Sequence, residues 1–291
     1  MMKLFTLMAL VVICTNTNAQ ETPEKKTANN DTIRIGNIII TKDGRDDQQR
    51  KGNTHITMGR KANRKISNVS TNWGVVDLGF ANYMDETNYG ATGNYLFNRP
   101  GTTPLGENDF KLRTGKSVNV NIWFFMQRLN LVKHHVNLKY GLGLELNNYR
   151  YKTATNISYL EQNPYLPGQA TSPVIIRDSI QFSKNKLAAD YLTVPLMLNF
   201  STSPGYTNKG VSISVGVSAG YLYSQRNKQI SQERGKEKNR GDYDLEQFKF
   251  SYIAELGLGP VRLYGSYSPT SFYTNGLNMK PYTLGVRLSN W

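Results

Sequence analysis

The stretch FKFSYIAELGLGPVRLYGSY, Phe248 to Tyr267, changes chemical character at almost every residue. Phe248, Phe250, Tyr252, Ala254, Leu256 and Leu258 occupy one parity, and Lys249, Ser251, Ile253, Glu255 and Gly257 the other. After Gly259-Pro260 the alternation resumes, with Val261, Leu263, Gly265 and Tyr267 against Arg262, Tyr264 and Ser266. Successive side chains of a strand point to opposite faces, so the spacing predicts a tight hairpin with one apolar and one polar face. Pairing about its turn is expected to set Glu255 directly across from Arg262. A ribbon of this kind has two homes. A soluble sandwich buries the apolar face, whereas a transmembrane barrel turns it to lipid and encloses the polar one.

The alternation runs through the chain from Asn72 onward. Trp73 to Met84 sets Val76, Leu78 and Phe80 on one face. Ser117 to Met126 sets Val118, Val120, Ile122, Phe124 and Met126 against Ser117, Asn119 and Asn121. Val136 to about Tyr149 alternates most strictly, with Leu138, Leu142, Leu144 and Leu146 against Asn137, Lys139, Glu145 and Asn147. Ala188 to Phe200, Val211 to Tyr223, the two arms of the opening hairpin, and Lys280 to Ser289 complete the set. Eight strands make an even number and the smallest common transmembrane barrel. Pro195 inside the fourth strand removes a ladder hydrogen bond, and a bulge is expected there.

Connection length discriminates between the two homes. Long links (Asp85–Lys116, Arg150–Leu187, Ser224–Gln247, Ser268–Met279) alternate with short ones (Gln127–His135, Ser201–Gly210, Gly257–Pro260). A sandwich has no reason to sort its loops by end, whereas outer-membrane barrels combine short periplasmic turns with long outside loops. The long loops are polar and rich in Gly, Pro and Asn, and Tyr83, Tyr151, Tyr221, Tyr223 and Tyr252 at their ends fit an aromatic girdle. The expected fold is therefore all-β, an eight-stranded antiparallel up-and-down transmembrane barrel over residues 71–291. Leu142, Leu196, Val215 and Leu284 are expected to face lipid. Lys139, Glu145, Lys249, Glu255, Arg262 and Arg287 are expected to face the lumen, where so many charges must pair to be buried. The register places Arg287 beside Arg262, with Glu255 between two guanidiniums and Glu145 reaching in from the far wall higher up.

Residues 1–19 read as a signal peptide: Lys3, the apolar run Leu4 to Ile13, and Thr17-Asn18-Ala19 before the cleavage point. The run is too short to span a bilayer as a helix. Cys14 is the sole cysteine and leaves with the signal, so neither disulfides nor a thiolate metal site are expected in the mature chain. Residues 20–70 are polar and rich in Lys and Arg, and read as a largely disordered periplasmic tail. Within it Asp31 to Gly44 has strand-like content suited to a local hairpin or to pairing with a partner. The net charge of +14 is spread through tail and loops, and no nucleic-acid partner is expected for an exported protein. Low mean hydropathy beside 18 Tyr, 11 Phe and 25 Gly suits strands that are apolar on alternate residues only.

GLGLELNNYRY (Gly141 to Tyr151), YLTVPLMLNF (Tyr191 to Phe200), VGVSAGYLYSQRNKQ (Val215 to Gln229) and LYGSYSPTSFY (Leu263 to Tyr273) resemble the outer-membrane β-barrel proteins of Bacteroidetes-type bacteria, the broad group that includes the PorT-like family. The resemblance spans about Trp73 to the C-terminus and includes the strand-four proline. It implies a barrel in the outer membrane of a Gram-negative bacterium, with both termini periplasmic, and, through PorT-like relatives, an accessory role in a gliding and secretion machinery. The terminal Trp291 resembles the signal read by outer-membrane assembly machinery, although Leu284, Val286 and Leu288 are one residue out of phase with it.

No catalytic residue, metal site or cofactor is expected. His134 and His135 lie in a short turn and His55 in the tail, so a Ser-His-Asp arrangement lacks its base. Asp242 and Asp244 read as solvated loop carboxylates. The functions that fit are structural, binding or interaction roles, carried by long loops on a rigid scaffold or by the tail, with an outer-membrane enzyme acting on lipid or peptide as the lesser alternative. The expected partners are membrane lipid and lipopolysaccharide, the assembly machinery, and a periplasmic or secretion protein.

Overall fold

The computed structural model describes residues 31–35, 38–42, 54–58, 67–93, 95–98, 101–152, 156–161, 173–203 and 210–289. The chain divides into two units, 1–65 and 66–291. In the first, β1 (Asp31–Ile35), β2 (Ile38–Lys42) and β3 (Thr54–Met58) form an antiparallel sheet with β2 in the middle. The hairpin read within Asp31 to Gly44 is thus present, and Thr54–Met58 adds a third strand that the tail reading did not contain. The segment read as a signal peptide, the tail residues 20–30, 36–37, 43–53 and 59–66, and residues 290–291 lie outside the described residues, while residues 69–70, read as tail, open β4.

The second unit contains, in order, β4 (Val69–Asp85), β5 (Leu96–Phe97), α1 (Glu107–Phe110), β6 (Val118–Val132), β7 (Val136–Arg150), β8 (Ile157–Leu160), β9 (Val174–Arg177), β10 (Lys184–Ser201), β11 (Val211–Ser231), β12 (Gly235–Arg240), β13 (Phe248–Leu258), β14 (Val261–Tyr267) and β15 (Met279–Leu288). Eight of these strands close a ring, β4-β6-β7-β10-β11-β13-β14-β15, in which every neighbour is antiparallel and β15 returns to pair with β4. This is the up-and-down barrel that the alternation predicts. Closure leaves no unpaired edge, the condition for a sheet to exist in hydrocarbon.

Leu196, Val215 and Leu284 are exposed on the outside and Leu142 is half-buried there, while Asn137, Lys139, Glu145 and Asn147 of β7 are buried inside. Two irregularities change the phase. Gly74 takes a positive φ of 66° and the inward residue shifts from Asn72 to Val75. A register shift between Trp123 and Phe125 then turns Met126 inward, to 0% exposure, where strict alternation had placed it outward. The bulge expected at Pro195 does not occur. Pairing with β7 lapses opposite Pro195 but resumes in the same register, and the irregularity of β10 against β11 lies instead at Asp190/Tyr191.

The hairpin β13–β14 also differs from its predicted register. Leu258 pairs with Val261, which places Tyr264 across from Glu255 and Gly257 across from Arg262. Several strands run further into the long connections than their alternation suggests. β10 has 18 residues and β11 has 21, against the roughly 9–11 that a tilted strand needs to cross a bilayer. Their far ends project beyond the apolar band, and β12 folds back on β11.

At that loop end the long connections are packed rather than splayed. β5, β9 and β8 form a small sheet, and Phe110, Tyr149, Tyr151, Ile157, Ile175 and Phe272 belong to a buried apolar cluster over the barrel mouth. Tyr151 is 1% exposed within this cluster and Tyr83 packs against it, so these two are not girdle residues. Tyr221, Tyr223 and Tyr252 do face outward. Leu196→Arg or Val215→Arg should lower the unfolding free energy in lipid by about 2–4 kcal/mol, the range for a cation at midplane on the lipid face. Asn239→Arg, beyond the band, should leave it unchanged; a urea titration in lipid bilayers separates the two.

Candidate functional site

The lumen holds its polar groups in layers. Nearest the short turns, Asn137 donates to the side-chain oxygen of Asn199 (3.3 Å), and Asn199 donates to Ser214 Oγ (2.9 Å). One layer further in, Glu255 is 2% exposed and accepts from three cations: Lys139 Nζ at 2.7 Å, Arg262 Nη1 at 3.0 Å, and Arg287 Nη1. Arg287 turns its other edge to Asp77, with Nε to Oδ1 at 2.7 Å and Nη2 to Oδ2 at 2.8 Å. Trp123 Nε1 (2.7 Å) and Asn121 Nδ2 (3.2 Å) also donate to Asp77 Oδ2. The fork of a guanidinium matches a carboxylate edge, so these contacts fix direction as well as charge.

Arg262 and Arg287 are direct cross-strand partners, as the register argument requires. Arg262 reaches Glu255 diagonally rather than from the opposing position. Glu145 does not join this cluster. It pairs with Lys249 one layer higher, accepts from Asn147 Nδ2 (3.0 Å), and takes a long contact from Thr193 Oγ1 (3.4 Å). Tyr264, which donates to Asn119 Oδ1, closes this layer. Its ring lies over paired glycines: a Cβ on Gly79 would sit 2.6 Å from the Tyr264 hydroxyl, and one on Gly285 would sit 2.7 Å from the ring. Glycine at both positions is what lets a tyrosine fit across the lumen.

Asp77 is the lumen carboxylate missing from the inward set expected above. Its signal was present, because Val76 and Leu78 point outward and the residue between them must point in. Closing the ring from last strand to first would also have found it, since Arg287 pairs directly with Asp77. The void left beside these charges, lined in part by Asn121, Glu145, Thr193 and Tyr264, is ≈ 30 Å³. That is room for one or two waters and not for a column of them.

Above the charges, the aromatic cluster forms a lid tied together around its circumference. Arg177 clasps Asp109 (2.7 Å), joining the second long loop to the first. Arg234 meets Asp178 (3.0 Å), joining the third to the second. Asn275 donates to Asp244 through its backbone (3.1 Å) and side chain (3.2 Å), joining the fourth to the third. Asn278 N donates to Thr87 Oγ1 (2.9 Å), returning to the first. Inside this ring the hydroxyls of Tyr151, Tyr159 and Tyr273 meet one another, two of the contacts at 2.6 and 2.7 Å. Burial, followed by the proximity of Tyr151, holds Tyr159 and Tyr273 well above the ordinary tyrosine pKa, so both stay neutral and remain able to donate.

A closed eight-stranded barrel, apolar outside and filled with paired charge inside, is the architecture of a small outer-membrane protein. The chain belongs to the outer membrane protein beta-barrel domain family, whose model matches residues 61–272. No curated protein matches it. Among solved structures it is similar to Ail, the attachment invasion locus protein of Yersinia pestis, at 10% identity over 77% of this chain and 100% of Ail, with a TM-score of 0.29. It is similar also to Ail in complex with the heparin analogue sucrose octasulfate, at 11% identity over 75% of this chain and 98% of that one, with a TM-score of 0.27. Likenesses this distant transfer no role to the chain.

Glu255→Ala leaves three buried cations facing an empty position. It should destabilise the barrel by about 3–5 kcal/mol, the range for removing one side of a buried pair. The loss should appear as a lower temperature at which the folded band converts to the unfolded one in semi-native electrophoresis. Asp77→Asn keeps the shape but removes the charge beside Arg287, and a smaller shift in the same direction is expected.

Proposed function

We propose that the protein is a non-conducting, non-catalytic outer-membrane barrel that presents a rigid recognition platform outside the cell, with its short turns and both termini in the periplasm. The observation that carries this reading is the circumferential tie of the four long loops. Loops that only shield a barrel have no need of a shared aromatic core and an ion pair or hydrogen bond at each junction. Pre-organised surfaces bind with less ordering cost, which is the physical use of such a platform. The platform also has relief: an open cleft of ≈ 600 Å³ lies between Tyr159, Leu160 and Glu161 on one side and Lys238 to Tyr243 on the other.

The absence of a conducting role is supported by the layered lumen, where charge pairs and the tyrosine lid occupy the bore. The absence of a catalytic role is supported by where the histidines sit. His134 has a positive φ of 60° in a short turn, and His135 contacts the carbonyl oxygen of Ser201 (2.8 Å), both at the end of the barrel remote from the cleft. An accessory role in secretion, which the PorT-like resemblance implies, would act through the periplasmic segment.

Three measurements test these points. A cysteine at Asn239 should react with an impermeant maleimide on intact cells, and one at His134 should react only after the outer membrane is opened; the reverse pattern would overturn the orientation. Reconstituted protein should give no steady conductance in planar bilayers, and open-channel currents would refute the plugged lumen. Deleting residues 20–65, which stops short of β4, should leave surface recognition intact. A periplasmic partner captured by the full chain and lost on that deletion would favour the secretion reading instead.

A further inference from the structure

On the outer face of the projecting strands, basic residues line up in register. Arg150 of β7 pairs with Lys186 of β10, Lys186 with Lys228 of β11, and Lys228 with Lys238 of β12. The row crosses four adjacent strands, or about 14 Å at the usual strand spacing. Arg226 and Arg240 pair directly in the next row toward the membrane, and Lys184 and Lys236 flank Ile230 in the next row away from it. Like charges directly opposite one another destabilise a sheet. A ladder of them is a standing cost unless something anionic covers it.

The protein itself supplies little cover. Asp190, held by Arg226 at 2.6 Å, is the carboxylate that faces the set among the described residues. Lys186 Nζ rests on the neutral Asn148 Oδ1 (2.6 Å), and the Nε of Arg150 is buried without a hydrogen-bond partner. Lys184 lies within electrostatic reach of Lys228, Arg150, Lys116 and Lys236, all of the same sign.

The ladder faces outward because of one irregularity. β11 pairs Tyr191 with Leu222 but Asp190 with Ser224, so Tyr223 is an extra residue. Below it the odd-numbered residues Val217 and Tyr221 face lipid, and above it the even-numbered Arg226 and Lys228 take over the same face. Without the bulge the cations would turn into the aromatic lid. With it, cationic and apolar surfaces are continuous on the same strands, and Tyr221, Tyr223, Leu192 and Val194 are exposed immediately on the membrane side of the ladder.

We propose that this ladder is a binding site for a phosphorylated glycolipid of the outer leaflet, with phosphates on the Arg150–Lys186–Lys228–Lys238 row and acyl chains along Tyr221, Leu192 and Val194. The apolar continuation selects an amphiphile over a soluble polyanion, since a soluble chain would leave that surface unused. The row is long enough to engage two phosphates on one headgroup. The site rests on the proposed orientation, with the loop end outside.

The test uses the full-length protein in mixed detergent micelles, with diphosphoryl lipid A and its enzymatically dephosphorylated form as probes, and retention measured by native mass spectrometry. The phosphorylated probe should bind at least tenfold tighter. Lys186→Gln/Lys228→Gln should remove that preference while the folded band keeps its heat resistance. Lys111→Gln/Lys133→Gln, which removes the same charge elsewhere, should retain it. Arg150→Gln serves as a milder variant should the double one fail to fold, and should weaken the preference alone. Equal binding of both probes, equal loss in the two double variants, or competition by soluble sulfated dextran that matches lipid A in potency would each overturn the site. Maleimide labelling at Asn239 reports orientation separately, so an inverted barrel and an absent lipid site give different results.

Discussion

The barrel depends on how the charge of Glu255 is neutralised. One carboxylate on β13 gathers Lys139 from β7, Arg262 from β14 and Arg287 from β15, and Arg287 carries the connection to Asp77 on β4. Five of the eight wall strands thus meet at one level of the lumen. The link between Arg287 and Asp77 is the important one for topology, because it crosses the seam where the last strand meets the first. Backbone hydrogen bonds alone tolerate slippage by two residues. A bidentate guanidinium–carboxylate pair, braced by Trp123 and Asn121, does not.

Bulges serve a related purpose. A strand that alternates without interruption has one chemistry on each face from end to end. This barrel needs Met126 inside near the short turns, where Val75, Trp123 and Met197 form a small apolar cluster, although Val118, Val120 and Ile122 lie outside on the same strand. One extra residue near Phe124 reverses the parity and meets both demands. The extra residue at Tyr223 makes the same exchange on β11, and there it delivers cations rather than hydrocarbon to the outer face. Extra residues in the ladder are in this sense the means by which one strand carries two surfaces.

The lid solves a different problem. Eleven per cent of the chain is aromatic, and tyrosine suits both a lipid boundary and a packed core with a hydrogen-bond partner. Tyr221 and Tyr223 take the first role, and Tyr149, Tyr151, Tyr159 and Tyr273 the second. Once inside, the hydroxyls of Tyr151, Tyr159 and Tyr273 satisfy one another, so the lid is neither a charged gate nor a loose set of loops. It adds a second closure above the ion pairs.

The sorting of long and short connections chose the membrane barrel over the soluble sandwich, and period-two alternation was enough to determine the eight strands and the inward set Lys139, Glu145, Lys249, Glu255, Arg262 and Arg287. Strands and inward set both follow from the local fact that neighbouring side chains on a strand point opposite ways. The same rule misplaced Met126, because a bulge is a decision of the packed sheet and not of the residues beside it. It offered Tyr83 and Tyr151 as girdle residues, because alternation cannot say whether a tyrosine at a strand end meets lipid or a folded loop. It drew Glu145 toward the Glu255 cluster rather than to Lys249 and showed no partner for the inward-pointing Asp77, because partners in a lumen are set by which strands close against each other, and sequence separation carries no trace of that. Only ring closure brought residue 77 to residue 287, and only the folding of four long loops onto one another turned polar, glycine-rich connections into a buried aromatic core.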